Sequence, residues 1–156
     1  MAEKKLFLLD AFALIYRAHF AFARNPRFNS KGMNTSAIFG FTNSLLEVLN
    51  NQKPTHLGVV FDTPGVGIRE EIFTEYKANR AKMPEDIQQA IPYIKKLLAA
   101  LKIPVVSLEG YEADDLMGTL SVKAEELGFI TYLMTPDKDF GPVSYTHLRA
   151  HETCLD

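Results

Sequence analysis

Cysteine is almost missing from this chain, which carries a single one, Cys154, among 156 residues. One cysteine cannot close an intrachain disulfide, and no set of thiolates exists to build a cysteine-rich zinc site. Long apolar runs are missing too. Nothing approaches the roughly 20 apolar residues that span a bilayer, and the N-terminus enters a strand pattern without the profile of a secretion signal. These absences lead us to expect a cytoplasmic protein with no membrane contact. An excess of basic charge is also lacking, since 17 Lys and Arg against 19 Asp and Glu give a net charge of −2. Bulk charge therefore does not advertise nucleic acid as a partner. That exclusion is weak, because carboxylates committed to a metal mask a local basic surface. No internal repeat or low-complexity linker divides the chain, and 47% hydrophobic residues suit one domain with a real core.

What is present in unusual density is acid. The stretch Gly110-Tyr-Glu-Ala-Asp-Asp-Leu116 packs Glu112, Asp114 and Asp115 into four positions where a strand pattern gives way to a helical one. Glu112 and Asp115 are three apart and share a helix face. Two carboxylates about 5 Å apart repel by roughly 3 kcal/mol at an effective dielectric of about 20, so such a cluster gains by binding a cation or taking up protons. An acidic first turn also complements the helix dipole, but one or two carboxylates serve that purpose.

Other apolar runs end the same way. Residues 5–9 (KLFLL) lead to Asp10, 57–61 (LGVVF) to Asp62, 103–107 (IPVVS) to Glu112, and 130–134 (ITYLM) to Asp137 and Asp139. Non-alternating apolar runs separated by helical patterns read as parallel strands covered on both faces. In such sheets ligands bind outside the carboxyl ends of the strands. One strand-end aspartate is commonly a helix cap; four acid-terminated strands point to a metal site along one edge.

Between the strands, Leu14, Ile15, Ala18 and Phe22 take core-facing spacing on a first helix that also carries Arg17. A second helix is expected over 37–50, with Ile38, Phe41, Leu45, Leu46 and Leu49 as its apolar stripe. Pro84 opens a third over 85–101, with Ile87, Ile91, Ile94, Leu97, Leu98 and Leu101 buried. Between these two, the segment 69–82 sets Lys77 and Arg80 three apart with Tyr76 beside them, a grouping able to hold a phosphate and stack a base. Taken singly, Arg17 and this basic group read equally well as solvated helix faces.

These pieces together resemble the N-terminal part of the 5′-nuclease domain of bacterial DNA polymerase I, of the flap endonuclease family with its PIN-like fold. The resemblance rests on Leu8-Leu-Asp10 with Tyr16-Arg-Ala18, Lys53-Pro-Thr-His56 with Val59-Val-Phe-Asp62, and Arg69 with Tyr76-Lys-Ala-Asn-Arg80. Met83-Pro84, Glu112-Ala-Asp-Asp115 with Gly118-Thr119, and Asp137-Lys-Asp139 complete it. It implies an α/β fold with a mostly parallel sheet, helices on both faces, and a missing C-terminal half. It further implies a structure-selective, divalent-metal-dependent 5′–3′ exonuclease that removes 5′ flaps and RNA primers from DNA, with no obligate protein partner. Asp10, Asp62, Glu112, Asp114, Asp115, Asp137 and Asp139 would hold two Mg²⁺ or Mn²⁺ ions, since all-oxygen ligation suits those cations. Arg17, Tyr76, Lys77 and Arg80 would grip the scissile phosphate and terminal bases. Ala11 departs from the glycine that usually follows the first aspartate.

The resemblance runs to about residue 141. Residues 142–156 read instead like the translation of a transposase adaptor, so the expected organisation is a nuclease portion over 1–141 and a non-native tail over 142–156. His147, His151, Glu152 and Cys154 in that tail only imitate a zinc motif. Two other classes stay open on the residues alone. One is a non-catalytic nucleic-acid-binding module that kept the fold. The other is a haloacid-dehalogenase-type phosphatase, which wants a second aspartate where Phe12 stands.

Overall fold

The computed structural model describes residues 3–63 and 83–134, together with the backbone of 151 and 152. Within them, β1 (Lys5–Asp10) passes directly into α1 (Ala11–Ala21), and a loop leads to α2 (Ser36–Glu47), which ends in a π-helical turn (Val48–Gln52). Then follow β2 (His56–Val60), α3 (Glu85–Ala100), β3 (Val105–Val106), α4 (Ala113–Glu126), β4 (Ile130–Met134) and β5 (His151–Glu152). The strands pair in the order β3-β2-β1-β4-β5, and every pairing is parallel. The expected mostly parallel sheet is present, and all the strands point their carboxyl ends toward one edge.

Alternate side chains of β1, β2 and β4 enter different cores. Phe7 and Leu9 of β1 join Val59, Phe61 and Met134 under α1, α2 and α3, whereas Leu8 joins Val60, Leu133, Ala113 and Met117 under α4. Both faces are thus dry, which is why the strands read as unbroken apolar runs. Phe7 and Tyr132 are register partners whose rings stack 4.5 Å apart, worth about 1 kcal/mol beyond area burial. The helices sit where their stripes demand, with Leu14, Ile15 and Ala18 of α1, Phe41 and Leu45 of α2, and Ile87, Ile94 and Leu98 of α3 all buried.

Two stripe residues depart from expectation. Leu46 is 43% exposed and Leu101 44%, while Ala37 and Ala90 take up core positions instead. Leu46 sits about 100° round the helix from the buried Leu45, and Leu101 is the C-cap of α3, past its last buried residue Leu98. β3 is also shorter than the expected 103–107. Pro104 has no N–H to donate, and its carbonyl alone joins the ladder by accepting from Val59 N at 3.0 Å. α3 runs unbroken through Pro92. Among the described residues no helix is long and apolar enough to cross a membrane.

Candidate metal centre

Five of the seven candidate acids lie among the described residues, and all five come from strand ends or a helix start on the carboxyl side of the sheet. Asp10 is the last residue of the central strand β1 and lies in register with Val60 of β2. Asp62 follows two residues beyond Val60, held there because Phe61 N donates to Val106 O at 2.9 Å. Glu112 stands at the N-cap of α4, and Asp114 and Asp115 occupy its first turn. Asp10, Asp62, Glu112 and Asp115 are partly buried, and Asp114 is exposed.

Two of these carboxylates orient helix starts. Asp10 caps α1 by accepting from Ala13 N at 3.2 Å. Asp62 Oδ1 accepts from Ala113 N at 2.6 Å, so the first amide of α4 is satisfied from another strand, 51 residues away. Glu112, at the N-cap itself, makes no capping bond with its side chain. The Asp62 bond ties the end of β2 to the three acids that open α4. Each helix N-terminus also brings its partial positive charge to the acidic edge.

Arg17 lies seven residues along α1 from Asp10, about 10 Å of helix rise, and is partly buried. It is on the element that starts at the site but two turns away. Asp137, Asp139, Tyr76, Lys77 and Arg80 lie outside the described residues.

The sequence reading missed several residues that frame this edge. Thr63 donates from Oγ1 to Leu108 O at 2.9 Å, reaching from the end of β2 to the connection before α4. Phe12, two residues after Asp10, and Phe61, next to Asp62, meet edge to face at 5.6 Å, and Lys95 Nζ lies 5.0 Å from the Phe61 ring centre. Thr63 stands in a Pro- and Gly-rich break that reads as a turn and nothing more. Lys95 falls on the polar face of α3, where any lysine looks solvated.

Among the described residues no three acidic, histidine or cysteine side chains close into a metal-ligating group. The donor chemistry nevertheless fits one class of ion. Mg²⁺ keeps several waters and is held through one or two carboxylates together with substrate phosphates, so it needs no all-protein cage. An edge of oxygen donors spread over β1, β2 and α4 suits a hydrated hard cation and does not suit a closed tetrahedral zinc site.

The comparisons with known proteins agree with this architecture. DNA polymerase I of Bacillus caldotenax is 39% identical over 146 residues, covering 94% of this chain and 16% of the relative. A 5′-3′ exonuclease of Aquifex aeolicus is 40% identical over 136 residues, covering 87% of this chain and 46% of its own. The chain thus spans about a sixth of the polymerase and less than half of the exonuclease. The T5 D15 protein co-crystallized with metal ions superposes with a TM-score of 0.66 at 19% identity, over 93% of this chain and 54% of its own. Its flap endonuclease pseudo-enzyme-product complex with DNA and metal ions gives 0.58 at 18% identity, over 93% and 53%. At such identity these structures speak for the fold, which is the PIN-like 5′-nuclease fold. Residues 5–152 match the family described as the 5′-3′ exonuclease, N-terminal resolvase-like domain, and the chain belongs to that family.

Proposed function

We propose that this chain is the metal-holding portion of a structure-selective 5′–3′ exonuclease that removes 5′ flaps and RNA primers from DNA during replication and repair. The observation that carries this reading is the bond from Ala113 N to Asp62, which draws the acid-bearing start of α4 to the strand end beside Asp10. Asp10, Asp62, Glu112, Asp114 and Asp115 would hold a divalent ion directly or through water, and Asp137 and Asp139 would complete a two-ion site of Mg²⁺ or Mn²⁺. When bound, such ions activate water for attack and neutralise charge on the attacking and leaving oxygens of an in-line displacement. The protein's own tasks are then binding and orientation. Lys77, Arg80 and Arg17 would fix the scissile phosphate, and Tyr76 would stack on a terminal base. A cytoplasmic setting belongs to the same reading, since chromosomal DNA is the substrate.

We assign residues 1–141 to the nuclease portion and leave 142–156 outside it, although the family match reaches residue 152. Residues His151 and Glu152 pair with Tyr132 and Leu133 at the outer edge of β4. An exposed strand edge presents unpaired backbone groups that any extended segment can satisfy, so this pairing does not require a native strand.

The test is cleavage of a 5′-labelled flap and a nicked duplex with Mg²⁺ or Mn²⁺, by this chain and by a chain carrying the remainder of an exonuclease relative in place of 142–156. The expected result is weak or absent cleavage by the first and Asp115-dependent cleavage by the second. Metal-independent binding of DNA by both, with no cleavage by either, would favour a non-catalytic binding module.

A further inference from the structure

We propose that Thr63 is a positioning residue for the carboxylates at the start of α4, and through them for the divalent cation of the preceding section, on whose reading this inference rests. Residues 107–112 join β3 to α4 without regular secondary structure. Packing does not fix this connection, because Leu108 and Tyr111 are each 52% exposed. Hydrogen bonds do. Tyr111 N donates to Leu108 O at 3.0 Å, closing a turn whose third residue, Gly110, has the positive φ of 84° that such a turn favours. Thr63 Oγ1 donates to the same Leu108 carbonyl at 2.9 Å, with Tyr111 O a more distant 3.5 Å away. A hydroxyl has one proton, so the shorter bond is the one that counts.

Asp62 and Thr63 therefore clasp the two ends of the connection, Ala113 and Leu108, from adjacent positions after β2. Glu112 hangs between the clasped ends, and Asp114 and Asp115 follow at once. The two ties differ in what they use. Asp62 holds Ala113 with an oxygen that a cation also competes for. Thr63 holds the turn with a hydroxyl that bears no charge and that no ligand set needs. When a cation draws on Asp62, the Thr63 bond still keeps the turn, and hence the height of the α4 acids above the sheet edge. Partners that orient metal ligands in this indirect way typically carry tenfold or greater effects on metal affinity.

The experiment compares wild type, Thr63→Val and Thr63→Ser in this chain by titrating Mn²⁺ and reading free Mn²⁺ by electron paramagnetic resonance, with thermal unfolding in EDTA alongside. Thr63→Val removes the donor at nearly constant volume. It should weaken Mn²⁺ binding about tenfold, at the low end of the range for such partners. Its midpoint in EDTA should fall by no more than about 3 °C, as the loss of one partly exposed hydrogen bond implies. Thr63→Ser keeps the hydroxyl and should bind within about twofold of wild type. Wild-type Mn²⁺ affinity in Thr63→Val, or equal weakening in both variants, overturns the role of the hydroxyl while leaving the metal centre standing. A wild-type chain that takes up no Mn²⁺, with Asp115→Ala indistinguishable from it, removes the metal centre itself and this inference with it.

Discussion

Replacing Gly40 by alanine probes the seam on which the placement of Asp10 depends. A Cβ at position 40 would lie 2.5 Å from Ala18 Cβ and 3.1 Å from Ala18 Cα. Carbon atoms in contact sit about 3.5–4.0 Å apart, so α1 and α2 would have to separate by roughly 1 Å. α1 has little room to retreat, because Leu14 and Ile15 are buried in the sheet-facing core. The colliding atoms belong to a methyl group and the backbone, so no rotamer change relieves the clash. Overpacking of this kind costs typically about 1–3 kcal/mol, and here the upper end applies. Alanine's helix propensity returns about 1 kcal/mol. The expected net loss is about 2 kcal/mol, read as a lower urea midpoint at unchanged m, or as a melting point about 4–8 °C lower for a domain of this size. Adding Ala18→Gly should restore most of the loss, which a double-mutant cycle would report as coupling. A Gly40→Ala protein as stable as wild type, or about 1 kcal/mol more stable, would show that only propensity is felt and that the helices do not meet as described.

Further predictions concern the opposite edge of the sheet, the metal and the basic segment. Thr55 Oγ1 accepts from Lys5 N at 2.7 Å and donates to Lys5 O at 2.9 Å, so Thr55→Val should cost about 1–2 kcal/mol in chemical denaturation without changing Mn²⁺ affinity. Mn²⁺ at about 100 times its dissociation constant should stabilise the protein by roughly 2.7 kcal/mol. Asp62→Asn should abolish that gain while nearly preserving stability in EDTA, since the amide oxygen can still accept from Ala113 N. In a complete nuclease, Lys77→Ala and Arg80→Ala should slow cleavage far more than they weaken duplex binding, as measured by single-turnover rates against binding isotherms. Equal losses in both would make them ordinary phosphate anchors.

Strand and helix positions were legible because each obeys a local rule that burial enforces. Residues 130–134 were read as a strand and form β4 with the same bounds, since both faces are covered and no proline interrupts the ladder. At 103–107 the strand is shorter, Val105–Val106, and the missing N–H of Pro104 accounts for its late start. Helix stripes were readable to the extent that partner distance is constant along the helix. Leu46 is exposed because it lies about 100° round α2 from the buried Leu45, while the seam with α1 is made by Gly40, which a stripe of large residues does not reveal.

At the site, the sequence sets two readings of a strand-end aspartate in competition, and the structure shows that the first of them does not exclude the second. The position alone suits either a helix cap or a metal ligand; Asp10 caps α1 and Asp62 satisfies the first amide of α4. A carboxylate offers two oxygens with about four acceptor directions, so one amide bond does not exhaust it. That bond instead fixes where the remaining directions point, as an orienting partner does for a metal ligand. Capping by Asp10 was in principle visible, since Ala13 is three residues on. The Asp62 bond was not, because helix-capping rules look only at neighbours in sequence and Ala113 is brought close by the crossover through α3 and β3. The acids of α4 stand at the sheet edge because Asp62, just beyond the end of a distant strand, supplies the bond to the first amide of α4 that the Glu112 side chain does not.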